Sequence, residues 1–240
     1  MGRLFAVVSG KGGVGKSSFC AMLAQSLSKQ GKLLLIDLDT GLGCLDIMFN
    51  VSERVVFNLN DVIENGRELS EAQINCSNNI YLLSAPEREP DSKKFREFLL
   101  KIIDEYDYVI LDFPAGKNEN LIKGIPLFAE FLIICQANTV SIRDAEIISD
   151  SLSEDYLEKR LVINRFILKE KQKGIKKYTI DDIINLSSTR LIGIVPFDKN
   201  VFLLQSSRKV KAKSRAQQSV DRIATRLSGK RKPLPKLKKI

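Results

Sequence analysis

The eight residues Gly10-Lys11-Gly12-Gly13-Val14-Gly15-Lys16-Ser17 are of types and at spacings that can hold a polyphosphate. They fit G-x-x-x-x-G-K-[ST] and lie between an apolar run and a segment of helical period, where a phosphate loop belongs. Glycines let the backbone wind tightly enough for successive N–H groups to converge on phosphate oxygens. The helix that starts at Lys16 adds its positive end to the same place. Lys16 would neutralise the outer phosphates, and the Ser17 hydroxyl would enter a magnesium shell, which takes few protein ligands. Ser18, next in that helix start, completes the ATP-binding stretch. A chance glycine-rich turn explains the same letters poorly, because motif and context agree.

Carboxylates stand at the ends of two other apolar runs. One run closes in Asp37-Leu38-Asp39, and a period of two puts both aspartates on one face of a strand. The other closes in Asp112-Phe113-Pro114-Ala115-Gly116. Strand ends beside the first βα loop are where open α/β sheets bind ligands. Each aspartate could instead cap its loop, but three of them at strand ends in one chain argue for a site.

The elements that must position these groups read as a repeating alternation. Apolar runs occupy 4–9, 33–39, 80–84, 108–112, 131–136, 161–164 and 191–195. Most are continuous rather than alternating, the pattern of strands covered on both faces. Helical periods occupy 16–29, 92–105, 142–153, 180–186 and 212–227. The pattern predicts an α/β fold: a doubly wound, mostly parallel sheet with helices on both faces. Ala216, Val220, Ile223 and Leu227 give the last helix a narrow apolar stripe. No repeat or linker divides the chain, so one domain is expected over residues 1–228, followed by a basic tail over 229–240.

Composition closes off other chemistries. The chain has 240 residues, 44% apolar and 28% charged, enough to bury a large core. It contains no histidine, which removes His-based zinc sites and Ser-His-Asp triads. Cys20, Cys44, Cys76 and Cys135 form no CxxC pair or disulfide framework. There is no run of the ~18 apolar residues that a membrane span requires, and Leu4–Val8 runs into glycines and lysines unlike a secretory signal. Met1-Gly2 is followed by Ala6, where a myristoylation motif needs Ser or Thr. The expectation is a reduced, cytoplasmic protein. Of the net +9, residues 199–240 hold 14 Lys and Arg against Asp221 alone, so the remainder carries 24 against 28. Such asymmetry suggests a polyanion partner for the tail, or simply a solvated basic end.

An early lysine is the distinguishing feature of the loop. With Lys11 preceding Gly12-Gly13, the segment resembles the K-G-G-x-G-K-[ST] signature of the deviant-Walker ATPases of the MinD/ParA family. The resemblance covers residues 3 to about 210 and implies a dimer formed on ATP. In it, Lys11 would reach the partner's nucleotide in the arginine-finger role, so that Lys11, Lys16 and Asp39 form the catalytic set. It also implies that Asp39 lies in switch I near the attacking water, with Asp37 supporting it. Asp112 would hold Mg2+ through water alongside Ser17 and Asp39, and Gly116 would offer its amide to the γ-phosphate. Asn164-Arg165 resembles the family's N-R-[YF] segment, whose asparagine can pair with adenine. Pro196-Phe197-Asp198 resembles its P-x-D loop lining the base.

Several segments lean to the MinD branch: Asp39-Thr40-Gly41-Leu42 with Leu45-Asp46, the helix expected over 58–63, and Val140-Ser141-Ile142-Arg143-Asp144. Relatives with bridging iron–sulfur cysteines and those ending in a tyrosine cluster do not fit. Gly43-Cys44 stands where the branch usually has Arg-Asn. Pro233 and Pro235 interrupt the tail, where the branch has an amphipathic helix, yet Leu234, Leu237 and Ile240 still recur among six lysines and arginines. The implied function is an ATPase that positions cellular machinery in division-site selection. It would sit reversibly on the inner face of the membrane through paired tails and answer to an activating or effector protein. Alternatives are a ParA-like partition ATPase that binds nonspecific DNA, with 169–177 extending the basic patch, a flagellar-placement relative, and a nucleotide-dependent scaffold with little turnover.

Overall fold

The computed structural model describes residues 2–41, 43–152, 154–156, 158–167, 178–206 and 214–234. The basic stretch 169–177, Leu42, Ala212 and the tail from 235 onward lie outside the described residues. Strand β1 (Arg3–Val8) leads through the glycine loop into helix α1 (Lys16–Leu27) and then β2 (Leu33–Asp37). Three short helices follow, α2 (Leu45–Phe49), α3 (Leu59–Ile63) and α4 (Leu69–Ala72), and then the pair β3 (Ile74–Ser77) and β4 (Ile80–Leu83). Helix α5 (Ser92–Ile102), β5 (Tyr108–Asp112), α6 (Glu119–Lys123) and β6 (Glu130–Cys135) come next. The described chain closes with α7 (Thr139–Ser151), β7 (Glu158–Phe166), α8 (Ile180–Ser187), β8 (Arg190–Pro196) and α9 (Arg215–Leu227).

The strands form a single sheet in the order β3-β4-β2-β5-β1-β6-β7-β8. All neighbours are parallel except β3 and β4. The chain leaves β1 for β2 on one side and later fills β6 to β8 on the other, so the loop after β1 opens at a topological switch point. Register brings the carboxylates together: Asp112 aligns with Val7 of β1 and with Asp37 of β2.

The continuous apolar runs are explained by burial on both faces. Leu4, Ala6 and Val8 join Phe95, Leu121, Ile142 and Ile183 under α5 to α8. Phe5 and Val7 join Phe19, Leu23, Val220 and Ile223 under α1 and α9. The expected α9 stripe is wholly buried, from Ala216 to Leu227. Caps set several helix starts: Asn58 and Asp61 form a reciprocal capping box on α3, and Thr179 and Asp182 form one on α8.

The structure corrects the sequence-based expectations in three places. Strand β2 stops at Asp37, so Asp39 lies in the following turn and does not share a strand face with Asp37. The edge strand β3 was not expected, because Ile-Asn-Cys-Ser is short and half polar; it pairs antiparallel with β4 and carries a register shift. Helices α2, α4 and α6 span only four or five residues, too few for a 3.6-residue period to show. No helix among the described residues is long and apolar enough to cross a membrane.

Candidate nucleotide site

The site is built where β1, β2 and β5 end together. Between β1 and α1 the backbone makes the sharp turn that glycine permits: Gly15, the N-cap of α1, has φ +89° and offers no side-chain cap. A Cβ on Gly15 would lie 2.6 Å from the Asn164 amide nitrogen, so a larger residue is excluded by space as well as by strain. No acidic side chain occupies the first turn of α1, and its leading N–H groups face the loop as an anion cradle. Gly10 is equally constrained, since its Cβ would lie 2.5 Å from that of Asp144. Asp144, at the end of the Val140–Asp144 segment, therefore packs against the loop.

Lys16 and Asp112 form the electrostatic centre. Lys16 is 7% exposed and Asp112 0%, and the Lys16 ammonium donates to Asp112 Oδ1 at 2.5 Å. Burial works to depress the Lys16 ammonium, but the neighbouring Asp112 carboxylate outweighs it and raises its pKa. Cys20, one turn along α1, also donates to Asp112 Oδ1 at 3.4 Å, and burial pushes its thiol well up. Asp112 Oδ2 is buried without a hydrogen-bond partner. That orphaned oxygen suits a hydrated magnesium ion with few protein ligands. Accordingly, no group of three or more His, Cys, Asp or Glu among the described residues forms a protein-only metal cage.

Asp37 organises the turn that carries Asp39. Its Oδ1 accepts the Asp39 N–H at 3.1 Å, and its Oδ2 accepts those of Cys44 and Leu45 at 3.1 and 3.3 Å. Burial first, then the charge of Asp112, raises the Asp37 carboxyl to about 6 despite those three donors. Asp39 lines the phosphate recess together with Lys11, Gly12, Gly13, Val14, Lys16, Ser17 and Ser18. Cys44 and Ala115, from the two segments singled out in the sequence, line it as well, and so does Met48, which the sequence did not point to. Lys11 is exposed at the recess rim.

The other expected residues reach the site differently than read from sequence. The Asn164 amide donates to the carbonyls of Val14 and Gly15 at 2.9 and 3.4 Å, so its donor half braces the loop and only its oxygen side remains for a base. Arg165, with φ +51°, donates to the Gly13 carbonyl at 2.9 Å. Gln136, unforeseen, approaches the same carbonyl at 3.5 Å. The Gly116 amide donates to the Ser9 carbonyl at 2.9 Å, a bond it would have to release to sense a phosphate. Asp198 works as a clamp: it accepts from Ser214 Oγ at 2.7 Å, the Ala216 N–H at 3.4 Å and both nitrogens of Asn200 at 2.9 and 2.7 Å. Burial opposes its charge, yet these donors hold its carboxyl down at about 2. Pro196, Phe197 and Asp198 line a second recess beside the loop, with Gly15, Ser18, Asn164 and Arg165 and with the unforeseen Phe202.

A glycine loop between β1 and α1, a buried Lys–Asp pair and a side recess beyond β7 and β8 define a P-loop nucleotide-binding protein of the doubly wound class. The chain belongs to the CobQ/CobB/MinD/ParA nucleotide-binding domain family, whose description matches residues 5–210. It is 30% identical over 247 residues to the septum site-determining protein MinD of Thermotoga maritima, covering 98% of this chain and 91% of that one. It is 30% identical to the Synechocystis septum site-determining protein MinD, over 85% of this chain and 79% of the relative. Among solved structures it resembles MinD in the MinC:MinD cell division protein complex of Aquifex aeolicus, at a TM-score of 0.87 and 28% identity, covering 98% and 99% of the two chains. It is a MinD-like ATPase, of the kind that selects the division site.

Proposed function

We propose that the protein works as a switch driven by Mg-ATP: two copies close face to face on nucleotide, act on a surface, and separate after hydrolysis. The buried Lys16–Asp112 pair, with one Asp112 oxygen left unpartnered, carries this reading. Lys16 would transfer its contact to the phosphates, freeing Asp112 and Ser17 to hold the hydrated ion. When bound, magnesium supplies charge neutralisation at the outer phosphates. Water is the nucleophile, positioned by Asp39 from the turn that Asp37 ties down. The remaining requirement is positive charge at the developing negative charge, and that role falls to Lys11 of the opposite subunit.

Lys11 suits this role because it is exposed on the rim, where a second copy can be reached. Turnover would then depend on dimerisation, and a slow basal rate raised by an effector protein follows naturally. MinC, which accompanies MinD in the Aquifex complex, suggests the kind of partner. The surface engaged is an anionic membrane, reached by the basic tail: one tail holds weakly, while two on a dimer gain through effective concentration. The protein is accordingly cytoplasmic and peripheral to the membrane.

The test is Lys11→Ala, assayed for ATP binding and for turnover at saturating Mg-ATP. Binding within a fewfold of the parent and turnover reduced at least about a hundredfold are expected. Unchanged turnover would contradict the role given to Lys11.

A further inference from the structure

Helix α9 carries arginines that neither the core nor the nucleotide site uses. At 100° per residue, Arg215, Arg222 and Arg226 fall within about 40° of one another, on a stripe about 16 Å long. The stripe lies beside the buried face of α9. Arg226 fixes its direction: Nη1 donates to the Ile192 carbonyl on β8, the free edge of the sheet, at 2.6 Å.

The same guanidinium clasps the start of the tail. Arg226 Nε donates to the Lys232 carbonyl at 2.6 Å and Nη2 to the Pro233 carbonyl at 2.9 Å. Gly229, at φ +82°, turns the chain back after α9, so Lys230, Arg231 and Lys232 leave the body beside the stripe rather than as a distant tether. The clasp uses backbone carbonyls, so it binds the tail without neutralising any charge.

None of the arginines and lysines of this face takes part in an ion pair among the described residues. Asp221, the sole acid of residues 199–240, accepts from Ser26 on α1, from Lys29 just beyond it and from Gln217 on α9 itself. Arg226 feels both burial and the adjacent Arg222 charge, which together lower its pKa. Positive groups held this close without a carboxylate make a built anion-binding surface.

We propose that the α9 stripe and the clasped start of the tail, residues 230–234, form one docking face for an anionic lipid surface, so that the body of the protein and not its tail alone meets the membrane. This rests on the membrane reading above and deepens it by naming the surface. A lipid surface is favoured over nucleic acid because Leu234 stands 47% exposed next to Lys232 and Pro233, with Leu237 and Ile240 following in the sequence. Aliphatic groups among basic ones gain from an acyl boundary and nothing from a phosphate backbone.

The test uses the full chain with Mg-ATP, sedimented with vesicles of phosphatidylglycerol and phosphatidylcholine, with pure phosphatidylcholine vesicles, and with duplex DNA. The double variant Arg215→Gln/Arg222→Gln is compared with a tail variant, Lys236→Gln/Lys238→Gln/Lys239→Gln. A basic residue near an anionic leaflet changes partitioning about fivefold. The stripe variant should therefore bind the anionic vesicles at least about tenfold more weakly, with turnover in solution unchanged. If the stripe variant binds like the parent while the tail variant is lost, the stripe assignment is wrong and the membrane reading stands. If the parent ignores the vesicles and binds DNA, and the stripe variant weakens that binding, the lipid assignment is overturned together with the membrane reading.

Discussion

Replacing Asp198 by alanine separates two roles for a residue that sequence alone assigns to the base pocket. In the structure its carboxylate joins the turn after β8 to the start of α9 through four donors from Ser214, Ala216 and Asn200. The folded carboxyl titrates at about 2 against 3.8 for the free side chain. By linkage that is worth at most ~2.5 kcal/mol at neutral pH, and ~1–2 kcal/mol once solvent screening of a partly exposed group is allowed for. Asp198→Ala should thus cost ~1–2 kcal/mol, lowering the melting temperature by roughly 2–8 °C in a chain of this length. The pH dependence carries its own sign. Because folding depresses this pKa, the stabilisation is complete above the unfolded value near 4 and is lost as pH falls toward 2. Melting curves by circular dichroism at pH 7, 4 and 2.5 should show the gap between parent and Asp198→Asn narrowing only in the acid range. A neutral-pH gap below about 1 °C, combined with a large loss of ATP affinity, would refute the clamp and make Asp198 a base ligand.

Two further outcomes follow from the buried groups at the phosphate loop. Lys16→Ala strands the fully buried Asp112 carboxylate and should destabilise the fold by ~3–5 kcal/mol in urea unfolding, besides abolishing ATP binding; adding Asp112→Ala should recover much of that loss, whereas simple additivity would deny the coupling. Burial holds the thiols of Cys44 and Cys76 at about 11 and about 12, so both should alkylate slowly near neutral pH. Mg-ATP should slow Cys44, which lines the phosphate recess, and leave Cys76 unchanged in peptide mass spectra; equal effects at both would remove Cys44 from the site.

What could be read from the sequence was what is encoded locally. The glycine loop, the start of α1 at Lys16 and the α9 stripe each depend on residues within a few turns of one another. The continuous runs correctly implied strands covered on both faces, because α5 to α8 and α1 with α9 do cover them. What escaped was set by strand order and by competition for hydrogen bonds. Gln136 reaches the loop because β6 lies beside β1, a neighbourhood that no local pattern encodes. Asn164 and Gly116 lie beside the loop as expected, but the Val14 and Ser9 carbonyls claim their donors. Asp39 falls outside β2 because Asp37 takes the next turn's N–H groups, ending the strand two residues early.

The central claim is a lysine acting across a dimer, and complementation between two inactive variants tests it most directly. In a mixed dimer of Lys11→Ala and Asp39→Ala, one of the two sites keeps its own Asp39 and receives Lys11 from the other copy. Random pairing should restore turnover to about a quarter of the parent rate in an equimolar mixture, given two-fold dimers. A mixture no more active than either variant alone would contradict the account.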